Sequence, residues 1–239
     1  MEELKVNLDV RGLEAVEGGD FTDVTISGVG KIKGDITARV IEVAGSGQIY
    51  GEINAENLMV AGAFIADKDI ELKNTLNVKG TSNFSKNIIC EDILVSGKMV
   101  TKGDIRFRDA SIIGTFSSKG ILTGDKFDIL GGLDMSSDLR VNQILINFSE
   151  KSSCNDIIAD DVKIRIIEGE KGLFSKFKKI IFKCNEIRAK RVFIENTECK
   201  LIVADEVVVG ENCKIEKVEY VKKFEFAKSS EVKETIYRK

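Results

Sequence analysis

The chain has 239 residues, 31% of them charged and 43% hydrophobic, with a formal net charge of −3. That balance suits a folded, soluble protein, and no apolar run approaches the roughly eighteen residues of a transmembrane helix. Histidine, proline and tryptophan are absent, which excludes a serine–histidine triad, an imidazole general base and any histidine metal site.

MEELKVNLDVRGLEAV opens the chain in an acidic, alternating pattern, without the basic start and apolar run of a signal peptide. Residues 1–23 are expected to form an N-terminal cap. The five cysteines (Cys90, Cys154, Cys184, Cys199 and Cys213) are odd in number and contain no CxxC pair. With no export signal, they predict reduced thiols and a cytoplasmic location.

A repeat begins at residue 24. In GKIKGDITARVIEVAGSGQIYGEINAENLMVAG (30–62), Ile32, Gly34, Ile36, Ala38, Ile41, Val43 and Gly45 are each answered seventeen residues later, by Ile49, Gly51, Ile53, Ala55, Leu58, Val60 and Gly62. The local alternation has strand period, and glycines fall between the apolar pairs, where a corner needs unusual dihedrals or close backbone approach. A period of seventeen is too short for the helical solenoids. Three short strands per turn, separated by corners, describe one coil of a parallel β-helix, whose equivalent residues stack about 4.8 Å apart.

Further along, Ile26, Val43 and Val60 stay in step, and the phase slips by one residue near Lys73–Thr75. Val78, Val95, Ile112, Ile129 and Ile146 then form one column, and Ile88, Ile105, Leu122 and Leu139 another. These columns predict an all-β parallel β-helix over residues 24–167, with about 17 residues per coil. Its corner glycines are Gly28, Gly45, Gly62, Gly80, Gly97, Gly114 and Gly131. The absence of proline agrees with uninterrupted ladders.

EGEKGLFSKFKKIIFKCN (168–185) fits no coil and reads as a basic, apolar insertion. Residues 171–191 hold eight basic residues and one acid, a local charge of +7 against −10 for the remainder. Such segregation points to an anionic partner. Leu173, Phe174 and Phe177 among Lys176, Lys178 and Lys179 have the make-up of an interfacial membrane segment. The other reading is a solvated hairpin whose phenylalanines fold back over the coils; nucleic acid is not expected. Coils resume over 186–239, where Ala189, Val192 and Ile194 are answered by Ala204, Val207 and Val209 at a spacing of fifteen. KKFEFAKSSEVKETIYRK keeps strand alternation and is either a final coil or a tail.

The units ISGVGKIKGDITARVIEVAGSGQIYGEINAENLMVAG, with their recurring G-x-I-x-G-x-I-x-A-x-x-I-x-V, resemble the bactofilins, the polymer-forming cytoskeletal proteins. IRAKRVFIENTECKLIVADEVVVGENCKIEKVEY is similar to the end of that family's longer members. The resemblance implies a right-handed β-helix that assembles end to end into a homopolymer without nucleotide or other cofactor. It also implies a cytoplasmic scaffold, often at the inner face of the cell membrane, serving cell shape, envelope or motility. Val24 and Ile26, inward-facing in the first clear coil, are then the candidate polymer contacts. The disordered proline-rich tails of the shortest members have no counterpart here.

Chemical readings of the same residues are weaker. GVGKIKG (28–34) and GSGQIYG (45–51) are neither GxGxxG nor GxxxxGK[ST] before a helix, and they recur in register as corners do. Asp67 with Asp69, and Asp160 with Asp161, supply carboxylate pairs of the kind used on glycosidic bonds, yet they lie at irregular corners where aspartate favours turns. Hexapeptide-repeat acyltransferases and the related carbonic anhydrases need histidine. Cys90 falls in step with Phe107 and Val141 as a core residue, and Cys184, Cys199 and Cys213 lack zinc spacing. The sequence therefore reads as a structural protein rather than an enzyme. The alternative is a non-polymerising β-helical adaptor for a partner protein.

Overall fold

Apolar–polar alternation yields strands throughout: the computed structural model describes residues 6–167 and 180–239, and among these there is no helix. The residues fall into two units, Met1–Gly120 and Ile121–Lys239. Each is a parallel β-solenoid with its apolar columns inside.

In the first unit the strands are β1 (Val6–Val10), β2 (Leu13–Ile26), β3 (Val29–Val43), β4 (Ser46–Ile49), β5 (Ile53–Val60), β6 (Ala63–Ala66) and β7 (Ile70–Val78). They continue as β8 (Thr81–Phe84), β9 (Ile88–Ile89), β10 (Asp92–Val95), β11 (Lys98–Thr101), β12 (Ile105–Arg106) and β13 (Asp109–Ser118). Three strands make a coil, as β9, β10 and β11 show; elsewhere two of them run together around a corner. Val10, Ile26, Val43, Val60, Val78, Val95 and Ile112 are successive register partners. All are buried, at 3% exposure or less. Parallel columns run through Ile41, Leu58, Leu76 and Ile93, and through Ile53, Ile70, Ile88 and Ile105. β-Branched side chains suit these pleated, fully buried positions.

The one-residue slip is a bulge. Ala55 pairs with Leu72, but Asn57 pairs with Thr75, so Lys73 and Asn74 together oppose Glu56. The bulge takes up the extra residue within one corner, and every column beyond it stays inside.

At the corners the coils approach more closely than a side chain permits. Thr81 N donates to Gly62 O at 2.9 Å, and Lys98 N donates to Gly80 O at 2.9 Å. A Cβ on Gly62 would stand 1.9 Å from Gly45 O, and one on Gly97 would stand 2.2 Å from Gly80 O. The same holds at Gly28, Gly45, Gly80 and Gly114 against the coil before each. Close approach is thus the shared reason for glycine in this column. Gly114 adds a left-handed backbone, with φ of 135°.

The second unit contains β14 (Leu122–Met135), β15 (Leu139–Phe148), β16 (Ser152–Ser153), β17 (Asp156–Ile158), β18 (Asp161–Ile166), β19 (Phe182–Ile194), β20 (Thr197–Val209), β21 (Lys214–Phe226) and β22 (Glu231–Tyr237). One inner column runs Ile129, Ile146, Ile164, Ile194, Val209 and Phe226, in steps of 17, 18, 30, 15 and 17 residues. The thirty-residue step spans residues 168–179, yet Ile164 and Ile194 remain direct partners. Gly131 pairs here with Phe148, and its φ is 144°. The C-terminal stretch closes β21 and forms β22, so strands continue to Tyr237.

Two substitutions test this register. Ile112→Ala should cost roughly 2–5 kcal/mol through lost burial and a residual cavity, and Ile112→Asp, which strands a charge inside, should prevent folding. Gly97→Val should also lower the melting temperature, through collision with the Gly80 carbonyl and with no loss of apolar burial. Thermal melts followed by circular dichroism check both; an Ile112→Asp variant that melts like the parent would place Ile112 outside the core.

Candidate functional surfaces at the terminal rows

A strand inside the stack is satisfied from both sides, so the rows that matter for association are those paired on one side only. The sequence places Val24 and Ile26 in such a row; the structure corrects this. Leu8 and Val10 of β1 pair with Val24 and Ile26 on one side, and Ile41 and Val43 of β3 on the other. Val24 and Ile26 are 1% and 0% exposed. The sequence hides this row because Gly18 and Gly19 interrupt the alternation, and the register shifts between Glu17 and Gly19. The outermost described row is β1 together with Leu13–Asp20 of β2. Two of its apolar residues are exposed, Val6 at 65% and Leu13 at 85%, whereas Val10 is buried.

At the other end, β22 pairs only with Lys214–Tyr220 of β21. Lys223–Phe226 have β20 on one side and no described strand on the other. Phe224 and Phe226 therefore continue the inner columns of Val207 and Val209 with no row above them. They stack at 5.6 Å between ring centroids, and Tyr220 lies 5.4 Å from Phe224 and 5.6 Å from Tyr237. Phe226 is 54% exposed and Tyr237 58%. Both the N-terminal and the C-terminal edge thus combine open backbone with uncovered apolar side chains.

Leu173, Phe174, Lys176, Phe177, Lys178 and Lys179 lie outside the described residues. The basic residues that follow them do not form a free patch. Lys190 pairs with Asp160 at 2.9 Å, Arg191 Nη2 with Asp161 at 2.6 Å, Lys183 with Glu198 at 2.8 Å, and Arg188 with Glu186. Exposed pairs like these add little stability, but they answer four of the eight cations between 171 and 191. Residues 168–179 themselves hold four lysines and two glutamates, a net +2.

The residues considered for chemistry serve the coils. Asp67 accepts from Gln48 Nε2 at 3.0 Å, and Asp69 Oδ1 accepts the Asn87 N–H at 2.8 Å. Asp160 and Asp161 are engaged in the ion pairs above. Cys184 and Cys199 are register partners, whereas Cys213 lies in another column, its Sγ 3.5 Å from Glu211 O. All five cysteines are buried free thiols. Burial pushes Cys90 and Cys154 up to about 12 and Cys213 up to about 11; the hydrogen bond with Cys199, and then burial, raises Cys184. Thiols held neutral in this way are poor nucleophiles at physiological pH. Among the described residues no three His, Cys, Asp or Glu side chains are arranged to hold a metal ion, and no helix is long and apolar enough to cross a membrane.

The sequence gives the edge residues only in part. Alternation in VNLDV and KKFEF marks strands, but whether another row covers them depends on how the chain closes its coils.

Residues 14–106 match the model of the Bactofilin family, described as polymer-forming cytoskeletal. Neither a curated protein nor a solved structure matches the chain. The matched residues run from β2 through β12, all within the first unit, and do not reach the C-terminal stretch. Residues 14–106 are thus a bactofilin domain, a segment from a family of polymer-forming cytoskeletal proteins.

Proposed function

We propose that the chain is a cytoskeletal scaffold that assembles end to end, without nucleotide, at the inner face of the cell membrane. The observation that carries this reading is the pair of open edges. Pairing them between copies would satisfy backbone groups and bury Leu13, Phe226 and Tyr237 in one step. The groups offered are N–H, C=O and apolar side chains, whose association requires no ligand. A capped adaptor would have its terminal rows covered; the exposure of Leu13, Phe226 and Tyr237 supports the polymer reading instead.

Membrane attachment is supported by the make-up of the insertion, with Leu173, Phe174 and Phe177 beside Lys176, Lys178 and Lys179. Its weak net charge gives the apolar residues the larger part. One such segment binds weakly, and many copies along a polymer raise avidity without new contacts.

Purified protein should form filaments in negative-stain microscopy with EDTA present and nucleotide absent. A species that stays dispersed at every concentration would instead favour the adaptor, and filaments that require ATP would overturn the mechanism. Phe174→Ser combined with Phe177→Ser should melt like the parent but lose co-sedimentation with anionic vesicles. Earlier melting, with a parent that ignores vesicles, would mean that these side chains cover the coils.

A further inference from the structure

Sulfur gathers in one inner column of the second unit. Asp134 pairs with Ser153, and Ser153 with Lys183, so one residue further on Met135, Cys154 and Cys184 stand in successive rows. Cys199 follows as the direct register partner of Cys184. The chain has five cysteines and four methionines, so four of its nine sulfurs lie in this one run. All four side chains are buried, at 8% exposure or less.

The corner geometry alone does not call for sulfur. Cys154 Sγ donates to Asp156 O at 3.7 Å and Cys199 Sγ to Leu201 O at 3.3 Å, two residues on in each case. Thr101 Oγ1 makes the same bond to Gly103 O at 3.3 Å, and Ser118 Oγ to Gly120 O at 2.9 Å, so a hydroxyl serves that purpose. Cys184 is instead hydrogen-bonded to Cys199 and within electrostatic reach of Cys154. What the column offers beyond packing is soft ligands in adjacent rows. The three cysteines also line a cavity of about 680 Å³, whose charged residues are four lysines and three glutamates.

Neighbouring rows stand about 4.8 Å apart. Two opposed thiolate–metal bonds of about 2.3 Å each span about 4.6 Å, so an ion with two ligands fits between two rows without moving a strand. A structural zinc needs four ligands, and among the described residues no group of three or more is arranged for a metal. A soft monovalent ion needs only two.

We infer that Cys184 and Cys199 form a two-coordinate site for a soft monovalent metal ion of the copper(I) class. This goes beyond the cytoskeletal reading and stands independently of it. Binding is coordination without electron transfer: each thiol gives its proton to water, and two S–Cu bonds form. The resulting unit carries one negative charge, which the excess of lysine around the cavity answers. Protons compete with the metal, so retention weakens as pH falls.

Copper(I) added alone to the untagged full chain, with oxygen excluded and a copper(I) chelator as competitor, tests the site. The parent should retain one copper per chain after desalting, and X-ray absorption should show two sulfur neighbours. Cys184→Ser and Cys199→Ser should each lose the copper to the chelator while melting like the parent, since serine fits such corners. Cys90→Ser combined with Cys213→Ser should retain it. A parent that retains no copper, a Cys184→Ser variant that retains as much as the parent, or retention lost with Cys90 and Cys213 overturns the site. If neither Cys184→Ser nor Cys199→Ser folds, the parent's absorption spectrum decides: nitrogen or oxygen neighbours in place of sulfur would put the ion elsewhere.

Discussion

Each coil is fastened to the next by backbone hydrogen bonds, and the separation these impose governs the rest. Along the strands that separation is filled by Val, Ile and Leu stacked on their own kind. At the corners it leaves no room for a Cβ, which is why glycine recurs beneath the carbonyl of the preceding coil. Outside, polar side chains reach one coil away in the same rhythm: Asp35 Oδ1 accepts the Glu52 N–H and Asn87 Oδ1 accepts the Asp104 N–H. Because every residue depends on neighbouring coils and few depend on anything further, the terminal rows are the least satisfied parts of the molecule.

Much of this was legible in the residues. Columns such as Val43, Val60 and Val78 repeat one chemistry at one interval because the interior imposes the same demand on each coil. The slip near Lys73 was legible too, since the bulge at Lys73–Asn74 shifts the spacing without changing the residue types. The first row was not, because Gly18 and Gly19 break the alternation that would have carried the pattern back to Val6. Nor were the partners of Lys190 and Arg191, which lie thirty residues away in Asp160 and Asp161. Counted along the chain those cations form a basic block, whereas in space they are interleaved with acids. The aromatic cluster of Tyr220, Phe224 and Tyr237 was likewise hidden, because its exposure depends on how the rows pair and not on the residues themselves.

The two units reach similar interiors by different routes. The bactofilin domain lies in the unit with nearly constant spacing, and the second unit varies its steps and ends in aromatics rather than aliphatics. Family resemblance is accordingly strongest where the period is strictest. The insertion and the C-terminal edge lie outside the matched residues, where the period changes.

The thirty-residue step from Ile164 to Ile194, beside the fifteen-residue step from Ile194 to Val209, has a consequence for how such a protein can be elaborated. Coils register by row and not by residue count, so a corner works as a splice port: chain can be added there while the strands on either side still find each other. In an assembly of many copies the port would recur once per subunit. Whatever was spliced in, whether an anchor, a docking peptide or a folded passenger, would then be displayed at a fixed interval set by the subunit repeat and not by its own size.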